Sequence, residues 1–371
     1  MIINHIDDIL PAIKDKPEFI VMDKGDYKVV TYIYVDTHTF DDSRCLECRG
    51  LKFNAKGEVL SRGLGKFFNL FEKEQPEQID WVQPHVITEK LDGSLITGCS
   101  LNDQLVLMTK AGITEVAEMA MARFLPQKRY QDFIQHCLNQ GWTPNFEYTA
   151  SDNRIILYYP EPALTLLAIR HIITGESLKF KQLIELSKEY NIPLVPGLTE
   201  PITDILQFIQ HVRELKGKEG YVIHFDSGRP PIKIKADDYL LKHRAKSELD
   251  SRKKILHVVV RNGMDDLLPL LGPEDQTLLK SFAHSVYSEI NSVTVEVADL
   301  VNRYGHTVDR KTFATKIVSH LSPWLKGSAF RHFDGIPARE AVINSILSRD
   351  GRSIIHEEYI KTIWDKQEIK E

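Results

Sequence analysis

Short apolar runs alternate with helical spacings from the N-terminus to about residue 236. The apolar runs that predict strands cover residues 105–108, 145–148, 164–169 and 221–225. Between the last two runs, apolar residues at 202, 205, 206, 209 and 212 recur at spacings of three and four, which predicts a helix. Interleaved strands and helices with hairpin-like connections predict an α+β region built on an antiparallel sheet.

The pattern becomes helical after about Ala245. Apolar residues spaced by threes and fours form one stripe of a long helix: Leu278, Phe282, Val286, Ile290, Val293, Val297, Leu300 and Tyr304. Gly272-Pro273-Glu274-Asp275 is a start signal for this helix, and further helices are predicted over 313–321 and 338–347. Residues 255–260 fit either a strand or a helix. We therefore predict two domains, residues 1–245 (α+β) and residues 246–371 (all-α).

A single lysine stands next to a predicted tight turn. Val86-Ile87-Thr88 and Leu95-Ile96-Thr97 are predicted strands, and Asp92-Gly93 between them predicts a hairpin that places Lys90 at a strand end. A lysine amine is a nucleophile only where nearby cations, a metal ion or desolvation favour its neutral form. The alternative is a surface lysine beside an ordinary hairpin, so the case depends on the neighbours.

Candidate neighbours occur in a second predicted hairpin, where the strand 221–225 is followed by Ile232-Lys233-Ile234-Lys235. Residues two apart in a strand share a face, so Lys233 and Lys235 point together and form a candidate phosphate site. An amphipathic strand with lysines facing water is the alternative. Glu219 precedes this hairpin and could hold a divalent cation, and Glu147 is an acid in an otherwise apolar strand, where it needs a partner.

Composition narrows the class of protein. With 371 residues, 42 % hydrophobic and 27 % charged, the chain has the composition of a globular protein and room for two domains. A net charge of -5 argues against non-specific coating of nucleic acid and leaves room for a local basic groove.

Cys45 and Cys48 lack a second ligand pair with zinc-finger spacing, so we expect reduced cysteines. No apolar run is long enough for a membrane span, and Asp7 and Asp8 do not fit a secretory signal, so we expect a cytoplasmic protein.

The motifs Lys90-x-Asp92-Gly93, Phe146-Glu147, Glu219-Gly220 and Lys233-x-Lys235, in this order, resemble those of the nucleotidyltransferase superfamily of ATP-dependent ligases and capping enzymes. The chain is more closely similar to the phage-type RNA ligases that seal broken tRNAs. That resemblance rests on residues 47–51 (Glu-Cys-Arg-Gly-Leu), 66–70 (Lys-Phe-Phe-Asn-Leu), 109–110 (Thr-Lys) and 153–156 (Asn-Arg-Ile-Ile). It covers most of residues 40–245 and, more loosely, the helical tail.

The resemblance implies a nucleotidyltransferase catalytic domain and a three-step reaction with ATP and Mg²⁺ or Mn²⁺. Lys90 would take AMP from ATP, the AMP would pass to an RNA 5′-phosphate, and a 3′-hydroxyl would displace it. The implied site contains Asp92, the phosphate ligands Arg49, Lys66, Lys233 and Lys235, and the nucleotide-pocket residues Phe68, Gly93, Lys110, Glu147, Gly220 and Tyr239. Glu147 would bind the ribose. Core or surface packing are alternatives for Phe68 and Tyr239.

The metal ligands implied by the resemblance are Glu219 and the pair Asp265-Asp266, although adjacent acids at a helix start are also common as solvated caps. The implied partners are RNA ends, with tRNA expected, and an end-healing kinase or phosphatase. The implied state is a monomer, acting in a host bacterium if the protein is viral.

Three alternatives stay open. They are a capping enzyme, a DNA ligase, and an inactive RNA-binding nucleotide sensor. The first two usually carry a β-barrel after the last lysine pair, and its alternating strands are not visible after Lys235. Leu91 stands where relatives often have an acidic residue, which bears on the substrate more than on the reaction.

Overall fold

The computed structural model describes residues 1–36, 38–198, 200–248, 252–261, 263–304, 307–319, 321 and 323–347. The chain forms two compact units, Met1–Leu240 and Leu241–Glu371. The first contains strands and helices, and the described part of the second is helical. The expected α+β fold with a helical C-terminal region is thereby confirmed. Within the described residues, no helix combines the length and apolar character that a membrane crossing requires.

The first unit holds three sheets. Its strands are β1 (Phe19–Asp23), β2 (Tyr27–Tyr32), β3 (Arg49–Asn54), β4 (Val59–Ser61), β5 (Phe68–Asn69), β6 (His85–Glu89), β7 (Ser94–Leu101), β8 (Gln104–Met108), β9 (Trp142–Thr149), β10 (Ala163–His171), β11 (Gly197–Leu198), β12 (Gly220–Phe225) and β13 (Ile232–Lys235). Their orders are β1-β2-β3-β4, β10-β9-β7-β8 and β11-β6-β12-β13-β5. Neighbouring strands pair antiparallel except β13 and β5, which are parallel.

Helices cover the sheets of this unit. They are α1 (Leu10–Ile13), α2 (Glu115–Phe124), α3 (Lys128–Asn139), α4 (Phe180–Tyr190) and α5 (Ile205–Glu214), and α6 (Asp237–Glu248) follows the last strand. Polar caps start two of them: Thr114 Oγ1 accepts from the Ala117 amide at α2, and the Asp204 side chain accepts from the Gln207 amide at α5. Helix α5 buries Ile209 and Val212 against the strands β12 and β13, as its apolar spacing predicted.

The predicted hairpin around Asp92-Gly93 is wrong. Strand β6 pairs with β11 and β12, whereas β7 pairs with β8 and β9, so the chain crosses from one sheet to another here. Neither Asp92 nor Gly93 has the positive φ that a two-residue hairpin turn requires. Two strands with alternating apolar residues on either side of Asp-Gly have the same sequence pattern whether they pair with each other or enter different sheets. The Lys90 position directly after a strand is nevertheless confirmed.

Helices make up the described part of the second unit. They are α7 (Arg252–Val260), α8 (Met264–Leu267), α9 (Pro273–Tyr304), α10 (Arg310–Thr312), α11 (Pro323–Phe333) and α12 (Ala338–Leu347). Residues 255–260 are therefore helical, and the long helix begins at the predicted start signal. Two details differ from expectation. In the long helix, Leu278 is exposed and its neighbour Leu279 is buried instead. A short π-helix, Phe313–Ile317, follows α10, whereas one helix over 313–321 was predicted.

A buried lysine lies between two sheets of the first unit. The Lys52 side chain is 1 % exposed, and its Nζ donates to the Gly50 carbonyl at 2.9 Å and to Thr97 Oγ1 at 3.2 Å. Burial lowers the pKa of Lys52 to about 8. An unfolded lysine keeps its proton up to about pH 10.4. Between these values the unfolded state binds more protons, so this group makes stability rise as pH increases from 8.

We therefore expect the stability difference between the wild type and Lys52→Met to change in favour of the wild type, by about 1 kcal/mol, between pH 7 and pH 9. Urea unfolding at both pH values measures it. Other titrating groups are common to both proteins and cancel in the comparison. Parallel pH profiles for the two proteins would show that the Lys52 ammonium is not destabilised by burial.

Candidate active site

Lys90 follows β6 and is held by the start of β12. Its backbone amide donates to the Gly220 carbonyl at 2.9 Å, and its Nζ lies 2.8 Å from Glu219 Oε2. The other oxygen of the same carboxylate, Oε1, lies 2.9 Å from Lys235 Nζ. Glu219 is 2 % exposed. One buried carboxylate thus holds two lysine side chains side by side.

Gly220 explains why the carboxylate and the lysine lie together. Its φ is +139°, and a Cβ there would overlap the carbonyl oxygen of Ile234. The close approach lets Gly220 pair directly with Lys235 in the β12–β13 ladder. Because Glu219 precedes Gly220, its side chain starts next to Lys235. A side chain at position 220 would push these strands apart and separate the charges.

Strand β13 presents its lysines as the sequence predicts. Ile232 and Ile234 are buried while Lys233 and Lys235 lie on the opposite face. Burial, reinforced by the charges of Lys66, Lys235 and Lys90, lowers the pKa of Lys233 to about 8. These four amines therefore lie within electrostatic reach of one another. Such a cluster of cations is a favourable site for a phosphate chain.

Arg49 and Lys110 border the same site. Burial first, and then the charge of Arg49, lowers the pKa of Lys110, so the two cations are neighbours. Lys110 Nζ lies over the Tyr32 ring, 4.7 Å from its centroid. Arg49 Nη1 donates to the Leu64 carbonyl at 3.4 Å, and among the described residues the other donors of this guanidinium have no hydrogen-bond partner and could bind a ligand.

Glu147 projects from β9 towards these cations. Its Oε1 accepts from the Gly93 amide at 3.0 Å. Burial and the nearby Glu219 raise the pKa of Glu147 to about 7, against the opposing effects of Lys90 and Arg49. Gly93 approaches β9 so closely that a Cβ would overlap the Tyr148 carbonyl oxygen. Glycine at this position therefore lets the Lys90 segment contact Glu147.

Asp92 fixes the segment that carries Lys90. The carboxylate is 3 % exposed; Oδ2 accepts from the amides of Ile156 (2.8 Å) and Leu157 (2.6 Å), and Oδ1 accepts from Tyr239 at 2.7 Å. The Asp92 amide donates to the Tyr159 hydroxyl at 3.2 Å. The surface alternative for Tyr239 is wrong, since this side chain is 3 % exposed. Tyr159 was missed, because nothing in Tyr158-Tyr159 distinguishes a site residue.

The remaining nucleotide-pocket candidate, Phe68, lies on β5. Its ring packs edge-on against Phe40 at 5.8 Å between centroids, and Lys66 Nζ is 4.8 Å from its centroid. The Phe68 ring therefore packs between the core and Lys66, as the packing alternative expects, and its contact with the nucleotide stays a prediction. Lys66 Nζ also lies 3.7 Å from a Glu72 carboxylate oxygen.

The predicted metal ligands are separated in the chain. Glu219 lies in the site, whereas Asp265 and Asp266 form the first turn of α8 in the second unit. No group of three or more His, Cys, Asp or Glu side chains suited to a metal ion occurs in the described part of the chain. Cys45 and Cys48 are buried free thiols, in agreement with the expected reduced state.

Sequence reasoning also missed a set of ion pairs centred on Glu47. Glu47 Oε2 accepts from Arg62 Nε at 3.1 Å and from Arg170 Nη1 at 3.0 Å. Burial alone would raise the pKa of Glu47, but the two guanidinium groups lower it to about 2. Glu47 stands two residues before Arg49 and so anchors the strand that presents it. The pairing with residues so distant in sequence left no local signal.

Three comparisons describe what this chain is similar to. A family model described as RNA ligase matches residues 47–249. RNA ligase 1 of Bacteriophage TS2126 is 25 % identical over 393 residues, which cover 94 % of this chain and 91 % of that protein. A protein of Autographa californica nuclear polyhedrosis virus, whose name describes a bifunctional polynucleotide kinase/RNA ligase, is 27 % identical over 306 residues. That match covers 75 % of this chain and 41 % of the viral protein, so the chain spans about two fifths of its length.

Among solved structures, an archaeal ATP-dependent RNA ligase is 14 % identical, with a TM-score of 0.48 over 77 % of this chain and 78 % of that one. A Naegleria gruberi RNA ligase solved with ATP and Mn gives a TM-score of 0.37 at 19 % identity, over 44 % of this chain and 52 % of that one.

Proposed function

This chain belongs to the RNA ligase family, and we propose that it joins an RNA 5′-phosphate to a 3′-hydroxyl with consumption of ATP. The observation that carries the proposal is the Glu219 carboxylate, which holds Lys90 at 2.8 Å and Lys235 at 2.9 Å beside the Lys66 and Lys233 amines. A lysine at a strand end, surrounded by phosphate-binding cations, suits covalent catalysis by an amine.

In the proposed first step, Lys90 Nζ, whose side chain is 23 % exposed, releases a proton to solvent and forms a bond to the α-phosphorus of ATP. The bond from that phosphorus to the oxygen bridging the β-phosphate breaks, and pyrophosphate leaves. An oxygen of the RNA 5′-phosphate then attacks the same phosphorus, and its bond to Lys90 Nζ breaks. Finally the RNA 3′-hydroxyl oxygen bonds to the 5′-phosphorus, AMP leaves, and the hydroxyl proton goes to solvent. Each step is a displacement at phosphorus, in which positioning and charge neutralisation supply most of the catalysis. Arg49, Lys66, Lys233 and Lys235 would bind the phosphates.

The site also suits a divalent metal. Magnesium at a nucleotide usually takes one or two protein carboxylates and completes its shell with phosphate oxygens and water. Glu219 supplies one carboxylate in the site. Glu219 would hold Mg²⁺ or Mn²⁺ and the ion would neutralise phosphate charge, whereas Glu147 would accept a hydrogen bond from the ribose of the nucleotide. A metal-binding role for Asp265 and Asp266 stays a prediction.

We further propose that the natural RNA is a broken tRNA, that an end-healing kinase or phosphatase prepares its ends, and that the ligase acts as a monomer. Support for the kinase comes from the viral relative, whose name joins both activities in one chain. Support for a host bacterial cytoplasm as the place of action comes from similarity to a bacteriophage protein. The second unit is proposed to recognise structured RNA.

The proposed function is tested by following labelled AMP from ATP to the protein and then to RNA. The protein is incubated with Mg²⁺ and ATP labelled at the α-phosphate, and then with a single-stranded RNA that carries a 5′-phosphate. We expect label on the denatured protein, its transfer to RNA, and a circular RNA product. GTP in place of ATP, and DNA in place of RNA, separate the capping-type and DNA-ligase alternatives. An unlabelled protein and unchanged RNA would refute the proposal.

A further inference from the structure

Phe71 has a backbone conformation that bulky residues adopt very rarely. Its φ is +73°, in the left-handed region where a Cβ is strained. The other non-glycine residues with positive φ in the described part of the chain are Asp15, Asn102, Asp103 and Asn191. Asp and Asn tolerate this region, and phenylalanine does not. The Phe71 side chain is also 43 % exposed, so burial does not compensate for the strain.

Local hydrogen bonds force this conformation. The Phe71 amide donates to the Glu74 carbonyl at 3.0 Å, and the Glu72 amide donates to the Asn69 carbonyl at 3.0 Å. The Glu72 carboxylate accepts in return from the Asn69 amide and from Asn69 Nδ2. The loop is therefore a closed turn that holds the Phe71 ring outwards. Strain that the surrounding structure maintains is a feature of functional sites.

The turn is attached directly to the phosphate-binding strand. Asn69 pairs with Lys233 in the parallel β5–β13 ladder, and the Leu70 amide donates to the Lys233 carbonyl at 2.9 Å. Phe71 is the next residue. Its exposed ring thus lies at the rim of the cation cluster, whereas the Lys90 and Lys235 side chains are only 23 % and 21 % exposed.

A cation accompanies the ring. The Arg213 guanidinium, from α5, lies 5.3 Å from the centroid of Phe71. Arg213 is exposed, and no carboxylate among the described residues lies within ion-pair distance of it. An exposed ring beside an exposed guanidinium supplies a stacking surface and a phosphate ligand at one place.

We propose that Phe71 and Arg213 bind a nucleotide of the single-stranded RNA, adjacent to the 5′-phosphate that the lysine cluster holds. The base stacks on the Phe71 ring, and Arg213 pairs with a backbone phosphate. This inference rests on the proposed function and adds the residues that recognise the RNA strand. Proteins commonly hold single strands by such stacking, which tolerates any base. A buried nucleotide such as ATP does not require an aromatic at the exposed rim.

Phe71→Gly tests the proposal without damaging the fold, because glycine accepts positive φ and the variant loses only the ring. We expect an unchanged or higher urea midpoint and an unchanged rate of protein labelling by ATP. The Kd for a fluorescent, 5′-phosphorylated ten-nucleotide RNA, measured by anisotropy, should rise about tenfold. Arg213→Gln should also weaken RNA binding and reduce its dependence on salt.

Asp103→Gly is the matched control, since it relieves a positive φ (+62°) in the turn between β7 and β8 and should leave RNA affinity unchanged. The proposal is overturned if Phe71→Gly binds RNA with a Kd within twofold of wild type. It is also overturned if the variant keeps its RNA affinity and loses ATP-dependent labelling. The binding assay requires no joining reaction. A wild type that binds RNA through Phe71 and never seals it would contradict the proposed function alone.

Discussion

Replacing Lys90 with alanine or with arginine is expected to lower the rate of AMP transfer from ATP to the protein by a factor on the order of a thousand or more. Arginine is the more informative change. Its guanidinium can keep an ion pair with Glu219, but it stays protonated and cannot attack phosphorus. If Lys90 only contributed positive charge, Lys90→Arg would retain much of the labelling. The measurement is label on the denatured protein after incubation with α-labelled ATP.

Lys218→Ala is the matched control for this prediction. Lys218 lies one residue before Glu219, and its Nζ pairs with Glu89 at 2.9 Å, so it is a lysine of the same region with a carboxylate partner. Its side chain is 40 % exposed, and we expect its removal to leave labelling within about threefold of wild type, because exposed ion pairs contribute little. Equal labelling of wild type and Lys90→Arg would remove Lys90 from the reaction.

Strands β6 to β10, β12 and β13 and helix α5 of the first unit were predictable, because period two and period 3.6 survive in the sequence wherever one face is buried. The strand with Ile232 and Ile234 inside and Lys233 and Lys235 outside is an example. Which strands pair is a different question. The segments on either side of Asp92-Gly93 have the alternation of a hairpin, yet they enter different sheets. That outcome depends on tertiary contacts of Asp92 and Gly93, which no local pattern contains.

The candidate site shows the same limit. Motif spacing indicated Lys90, Glu219, Lys233 and Lys235, and the structure brings them together because β12 pairs with β13 on one side and with β6, which precedes Lys90, on the other. Their supports were not predictable. Tyr159 contacts the Asp92 amide across a long stretch of sequence. A residue that only positions another residue belongs to no sequence motif, so it is identified from the folded structure.

The largest stability effect is expected from Asp92→Ala. The carboxylate accepts from the buried amide of Ile156, the half-buried amide of Leu157 and the buried hydroxyl of Tyr239. Removing it leaves these donors without an acceptor, and buried donors that lose a charged acceptor cost more than exposed ones. We expect the free energy of unfolding to fall by about 4 kcal/mol, measured by urea denaturation.

Activity separates this role from simple destabilisation. Because Asp92 is two residues from Lys90 and holds that segment against residues 156 and 157, we expect the labelling rate per folded molecule to fall even well below the melting temperature. Asp92→Asn keeps an acceptor for the amides and should lose only about 1 kcal/mol of stability. Asp152→Ala, which removes an exposed partner of Arg123, should change stability by less than about 0.5 kcal/mol. A similarly small loss for Asp92→Ala would mean that the segment is held by its backbone and by Gly93 alone, and that the buried carboxylate does not position the nucleophile.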